Sequence, residues 1–171
     1  MSAYCHRYSN SIGGALILVV HTIHVLLAGA WLGGVVFTTF VVSPALKAMK
    51  WGEAERVRMR AAIGRRYARV GGTNLAFLAT FAVVDGVLGG FGSLLYVECA
   101  LILAVFGLVA VHGAVFGRRL AGLAEVELGA ESADEAASFA RRRRGLQKLS
   151  LRVSWVNLVV SAAVTALAVN A

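Results

Sequence analysis

Four long apolar runs constrain this chain more than any other feature. They read from about 12–46, 73–91, 94–117 and 151–169. Each reaches the ~20 residues that a helix needs to cross a ~30 Å hydrocarbon core. Backbone polar groups cannot stay unpaired in lipid, so each run is expected to be helical despite its Val and Gly content. The expected fold is an all-α integral membrane four-helix bundle, one transmembrane domain over 1–171, in the cell (cytoplasmic) membrane. The first run is too long for a cleavable signal, and no basic stretch precedes it.

Composition agrees and adds an orientation. Hydrophobic residues make up 58% of the 171 and charged ones 15%, yet the formal net charge is +8. Soluble domains carry about a quarter charged residues. The excess is concentrated in two places. Lys47, Lys50, Arg56, Arg58, Arg60, Arg65, Arg66 and Arg69 fall between runs one and two. Arg118, Arg119, Arg141 to Arg144, Lys148 and Arg152 fall between runs three and four. Only Arg7, of 17 cations, lies elsewhere. The positive-inside bias then places the loops 47–72 and 118–150 in the cytoplasm and both termini outside. The Arg141–Arg144 run beside a span reads as a topology anchor drawn to anionic lipid rather than a nucleic-acid patch.

Both basic loops are expected to contain helix. Trp51 to Val70 sets Val57, Ala61 and Tyr67 against Arg56, Arg60 and Arg66 at helical spacing. Ser132 with Glu135 forms a capping-box pattern, and Gly129 suits a helix stop just before it. Span three therefore runs past the membrane, turns, and a further helix enters span four.

Chemistry, if present, is expected from polar residues inside the spans, because these are expensive to place there. His21, His24 and His112 lie within apolar runs, and His6 lies in the N-terminal tail. His21 and His24, three apart, share one helix wall with ~4.5 Å of rise between them. Imidazole is the usual axial ligand of haem iron and a good copper ligand. Interhelical hydrogen bonding is the plainer use of such residues. Cys5 and Cys99 are too few for a disulfide framework or a four-ligand zinc site. The pairs Gly29/Gly33, Gly86/Gly90 and Gly113/Gly117 have the small-xxx-small spacing that allows close helix approach or dimerisation. They would equally make room for a flat macrocycle.

Depth separates the histidines. His24 lies 23 residues before Lys47, about 34 Å of helix. His112 lies six before Arg118, about 9 Å. His24, with His21 and His6, belongs to an outer centre and His112 to an inner one. Asp85, Glu98 and Cys99 sit near the outer mouths of spans two and three, as interfacial or functional groups. Arg152, with Ser154 and Asn157, opens span four, where it would pair with a haem propionate or snorkel to headgroups. No nucleophile–base constellation, phosphate loop or dinucleotide fingerprint occurs.

The segment His24-Val-Leu-Leu-Ala-Gly-Ala-Trp31-Leu-Gly33-Gly34 resembles the first span of the CopD-like superfamily of small membrane proteins. These share a histidine, six residues, a tryptophan and then small residues. The stretch on through Phe37, Val41, Val42, Ser43, Pro44 and Ala45 is similar to an uncharacterised branch of that group. One branch implies copper uptake or resistance. The HemJ-type protoporphyrinogen oxidases imply haem b held by the histidine matching His24, paired with a lysine in a later span. Spans two to four here contain no lysine.

The expectation is a haem b-binding, cytochrome-like bundle with one or two haems, held by His24, His21, His112 and His6 with Arg152. It would serve electron transfer or membrane oxidoreductase chemistry, with quinone or another redox protein as partner. Copper handling is the alternative, using Met1, Cys5, His6, His21 and His24, although Met49 and Met59 lie in a basic loop away from these. A cofactor-free structural bundle is the third reading. The lipid bilayer is the expected environment, a homodimer is compatible with the glycine pairs, and no nucleic-acid partner is expected.

Overall fold

A computed structural model describes residues 2–170, and their side chains apart from those of residues 2–12, 53 and 54. Six α-helices follow one another: α1 (Ser2–Phe37), α2 (Ser43–Ala48), α3 (Glu53–Gly89), α4 (Ser93–Val111), α5 (Arg118–Leu128) and α6 (Ala133–Asn170). Two π-helical turns, Thr38–Val42 and His112–Gly117, join α1 to α2 and α4 to α5 without a break. There is no strand among the described residues. Four helical stretches are long and apolar enough to cross a membrane: Gly13–Ala48, Glu55–Gly89, Ser93–Leu128 and Ala133–Asn170. The protein is a multi-pass membrane four-helix bundle.

The basic segments are helical, as their spacing predicts, and they are continuous with the spans. The 37 residues of α3 and 38 of α6 make about 55 Å of helix, some 25 Å more than the hydrocarbon core. The surplus carries the arginines. Ser132 accepts a bond from the Glu135 backbone N–H (3.2 Å), and the Glu135 carboxylate accepts from the Glu131 N–H. The capping box is thus in place, with its return bond one residue earlier than the ideal pattern. Gly129 ends α5. At the opposite end of the bundle α3 turns into α4 through Gly90, whose φ of +97° suits a residue without a side chain.

The arrangement has two halves built on one plan. In each, a helix passes through a π turn into a short helix, and a long helix then returns. Helices α1 and α4 each pack against both α3 and α6. They therefore run parallel and lie across the bundle from each other. Pro44 explains the first π turn: its ring cannot accept a regular α-turn behind it. Thr38 and Ser43 repair the local backbone, Thr38 donating to the Gly34 and Val35 carbonyls and Ser43 to the Thr38 carbonyl. The second π turn contains Gly113 and Gly117, residues that tolerate an opened helical turn.

Core packing draws one stripe from each long helix: Ala28, Trp31 and Val35; Leu75, Leu78 and Ala82; Leu95, Ile102 and Val105; Val164 and Ala168. Leu18, Val87, Leu103 and Val159 point outward, as expected where lipid rather than water is the surrounding solvent. Of the glycine pairs read from sequence, only Gly86 stands at a close approach. A side chain at Gly29, Gly33 or Gly113 would meet nothing, whereas one at Gly34 or Gly86 would lie under 3 Å from Tyr67 or from Phe91 and Leu95.

Candidate functional site

On α1, positions 24, 28, 31 and 35 fall on the buried face, the i, i+4, i+7, i+11 stripe of one helix wall. His24 thereby points at the bundle axis. On α4 the buried stripe is Leu95, Glu98, Ile102 and Val105, so Glu98 points at the same axis from the opposite side. The two meet: His24 Nε2 lies 2.7 Å from Glu98 Oε1, with the side chains 1% and 0% exposed. Glu98 therefore lies on the bundle axis and not on its lipid-facing surface. It lies five residues into α4, in the outer part of span three as its sequence position suggests, but the α4 stripe turns it inward.

One turn towards the Gly90 end of the bundle, His21 Nδ1 lies 2.9 Å from Asp85 Oδ2, exposed 32% and 11%. This pair joins α1 to α3. Beside it, a cavity of about 290 Å³ is lined by Asp85, Ile17, Gly89, Gly90, Ser93 and Leu95, among others. Three levels follow in order: a cavity touching Asp85, a part-exposed His–carboxylate pair, and a fully buried one.

Further polar links hold these helices in register. Trp31 Nε1 donates to Ser161 Oγ at 2.9 Å. Thr165 donates to the Ala28 carbonyl, and Asn74 to the Leu27 carbonyl. Among the described residues, the buried side-chain atoms without a hydrogen-bond partner include His24 Nδ1, Glu98 Oε2, His112 Nδ1 and Asn157 Oδ1. Such atoms are uncommon in native folds and mark places where a proton, water or ion is expected.

The other residues named from sequence are dispersed. His112 begins the second π turn, against the ring of Phe116. It lies 14 residues beyond Glu98 on the same helix, about 21 Å along the axis, so the separate depths expected of His24 and His112 are observed. Arg152 is exposed on α6. Cys99 is a free, half-buried thiol next to Glu98. His6 and Cys5 lie outside the residues whose side chains are described, and Met1 lies outside the described residues altogether. Met49 and Met59 are exposed towards the basic end.

Haem asks for a nitrogen facing an open slot of macrocycle size. His24 is not placed for this: its Nε2 is engaged by Glu98, and its ring is enclosed by the packed helices. The 290 Å³ cavity is lined by neither His21 nor His24. The residues as arranged do not fit an axial ligand at His24, and no porphyrin spans from there to His112. A multidentate metal cage is not formed either, since no group of three or more His, Cys, Asp or Glu side chains among the described residues could hold an ion.

The arrangement offers hydrogen-bonded imidazole–carboxylate pairs inside an apolar bundle. Sequence reading found the histidines but not their partners. The available signal was that Asp85 and Glu98 are the acidic residues of runs two and three.

No curated protein and no solved structure matches this chain. One family model does, over residues 26–127, which include Asp85, Glu98 and His112 and begin just after His24. That span is more than half of the chain, and the protein belongs to the family described as Domain of unknown function (DUF4149).

Proposed function

We propose that this protein is a proton-handling membrane protein, in which His24 and Glu98 form a central proton-binding pair fed through His21 and Asp85. One observation carries the reading: a fully buried imidazole–carboxylate hydrogen bond on the axis of a membrane bundle. Ionisable groups within spans are costly and typically belong to ion or proton pathways.

The chemistry follows from counting protons. With neutral His24 donating from Nε2, Glu98 is an anion and the pair carries one negative charge. One added proton makes the pair neutral overall, either as imidazolium with carboxylate or as imidazole with carboxylic acid. A low-dielectric core penalises net charge, and the two proton states of the pair differ by one unit of it. His21–Asp85, one turn away and partly exposed, is the same chemistry where a proton can arrive. The positive-inside bias puts the basic end in the cytoplasm, so protons reach His21–Asp85 from outside.

Infrared difference spectroscopy of the protein in lipid across a pH range tests this. A protonated-carboxyl band that changes with pH and is lost in Glu98→Gln is expected. Proteoliposomes holding a pH-sensitive dye, driven by a potassium diffusion potential, should show proton uptake that falls about tenfold in the same variant. A wild-type protein without a titrating carboxyl, or Glu98→Gln with undiminished uptake, would overturn the reading.

A second reading is favoured by one observation: His24 Nδ1 and Glu98 Oε2 are buried without partners. An imidazole nitrogen and a carboxylate oxygen are both ligands that a divalent transition ion accepts, one ion shared by the two side chains would take the place of their hydrogen bond, and the resemblance of the His24–Gly34 segment to CopD-like spans supports copper. Titration with Cu²⁺ and Zn²⁺, followed by elemental analysis of wild type and His24→Ala, separates this from proton handling. A haem b role, with the quinone or electron-transfer work it implies, would require His24 to leave Glu98 and the helices to part; nothing in the packing favours that.

A further inference from the structure

The His24–Glu98 pair stands in the half of the bundle away from the basic end. A proton held there has no described route onward through α1, whose buried face beyond it is Ala28, Trp31 and Val35. Helix α6 is different. Thr165, Ser161 and Asn157 recur every four residues and Ser154 follows three further on, so the four share one face of a span. Ser161 is fully buried, and the other three are partly so.

Measured contacts set the depth of this stripe. Thr165 bonds to the Ala28 carbonyl, and Ala28 lies one turn beyond His24, as Ile102 lies one turn beyond Glu98. Asn157 is eight residues from Thr165 towards the basic end, about 12 Å. His112 is ten residues from Ile102 in the same direction, about 15 Å. The two thus lie within one helical turn of the same depth, and the π turn that His112 begins packs against α6. At this level two buried atoms have no partner, His112 Nδ1 and Asn157 Oδ1.

We infer that His112 and Asn157 hold ordered water between the second π turn and α6, and that this hydrated station links the central pair to the basic end along the Ser161 stripe. The chemistry selects water. Asn157 Oδ1 only accepts hydrogen bonds, while an imidazole Nδ1 donates or accepts according to tautomer. A molecule that both donates and accepts satisfies the two together, as buried waters commonly do for such groups. An apolar occupant would leave both unmet. An opened π turn, a frequent feature of functional sites, widens the spacing where the station lies. Ser161 and Thr165 then provide hydroxyls at each turn between this station and Glu98.

The inference rests on the proton-handling reading only for its role as a route; the water site itself is tested alone. Solid-state NMR of the full chain in bilayers, with ¹⁵N-labelled His and Asn, measures magnetisation transfer from water. Transfer to the ring nitrogen of His112 (assigned by its loss in His112→Gln) and to the Asn157 side-chain amide is expected. Absence of transfer at both overturns the inference. Asn157→Leu in proteoliposomes should lower proton uptake about tenfold while the Glu98 carboxyl band still titrates. Unchanged uptake with a titrating Glu98 would overturn the route and leave the central pair standing. A wild-type protein whose Glu98 does not titrate would instead overturn the proton reading, and the water transfer would still decide whether the station is hydrated.

Discussion

His24 and Glu98 are 74 residues apart in sequence and 2.7 Å apart in the fold, and they occupy corresponding places in the two halves of the bundle. Fourteen residues beyond each, at Thr38 and at His112, the helix opens into a π turn. Parallel repeats related by an axis along the membrane normal are a known transporter plan, with the working groups near the repeat interface. The imidazole comes from one half and the carboxylate from the other.

Removing one member of this pair is expected to cost more than removing both. Glu98→Leu leaves a buried imidazole N–H without its partner, an error worth ~1–3 kcal/mol. His24→Leu with Glu98→Leu replaces the pair by apolar groups and should recover most of that loss. Unfolding in mixed micelles with increasing SDS measures the difference; a single variant as stable as the double would show that the pair is not energetically coupled.

Exchanging the two residues tests the equivalence of the halves. His24→Glu combined with Glu98→His should fold and retain a titrating buried carboxyl, because each side chain then reaches the same axis from the other side. His24→Glu alone sets two carboxylates together and should be less stable than the exchange. Thermal unfolding read alongside the infrared band decides between these outcomes.

Tyr67 is wedged between Gly34 and Trp31. A Cβ at Gly34 would lie 2.7 Å from its hydroxyl, and the Trp31 ring stands 6.2 Å from the Tyr67 ring, centre to centre. Gly34→Ala is expected to cost ~1–3 kcal/mol by overpacking, and Tyr67→Phe should return part of it by removing the closest atom. Gly29→Ala, with open space around it, should be neutral or slightly stabilising. Equal effects at Gly34 and Gly29 in a thermal-shift measurement would contradict this packing.

Arg143 differs from its three arginine neighbours in the run Arg141–Arg144. It is buried, and its Nε and Nη2 reach the two carboxylate oxygens of Glu127 at 2.7 and 3.2 Å, tying α6 to α5. Arg143→Gln should loosen the basic-end helices at a cost below the ~3–5 kcal/mol of a fully buried pair, since Glu127 keeps some contact with solvent. Arg142→Gln, an exposed substitution, should stay within about 0.5 kcal/mol. Faster proteolysis between α5 and α6 in Arg143→Gln alone is the expected readout.

The amino-acid sequence by itself determined the four spans, the segregation of positive charge, the helical character of both basic segments, and the capping box at Ser132. Each rests on a one-dimensional quantity: apolar length, charge position or local hydrogen-bonding pattern. The sequence also marked His21, His24 and His112 as unusual, because an ionisable side chain in an apolar run is costly wherever the run folds.

Only the tertiary structure decided what those histidines face. Within a span, both the lipid side and the core side are apolar, so hydropathy says nothing about which wall turns inward; the helix register does. That register turns Glu98 to the axis, joins Asp85 to His21, and puts Arg143 inside while Arg142 stays out. It also selects which glycines are in close contact, Gly34 rather than Gly29 or Gly33 and Gly86 rather than Gly90, since close approach depends on which residue stands opposite. The two π turns share one depth for the same reason: depth belongs to the packed bundle and not to either helix alone.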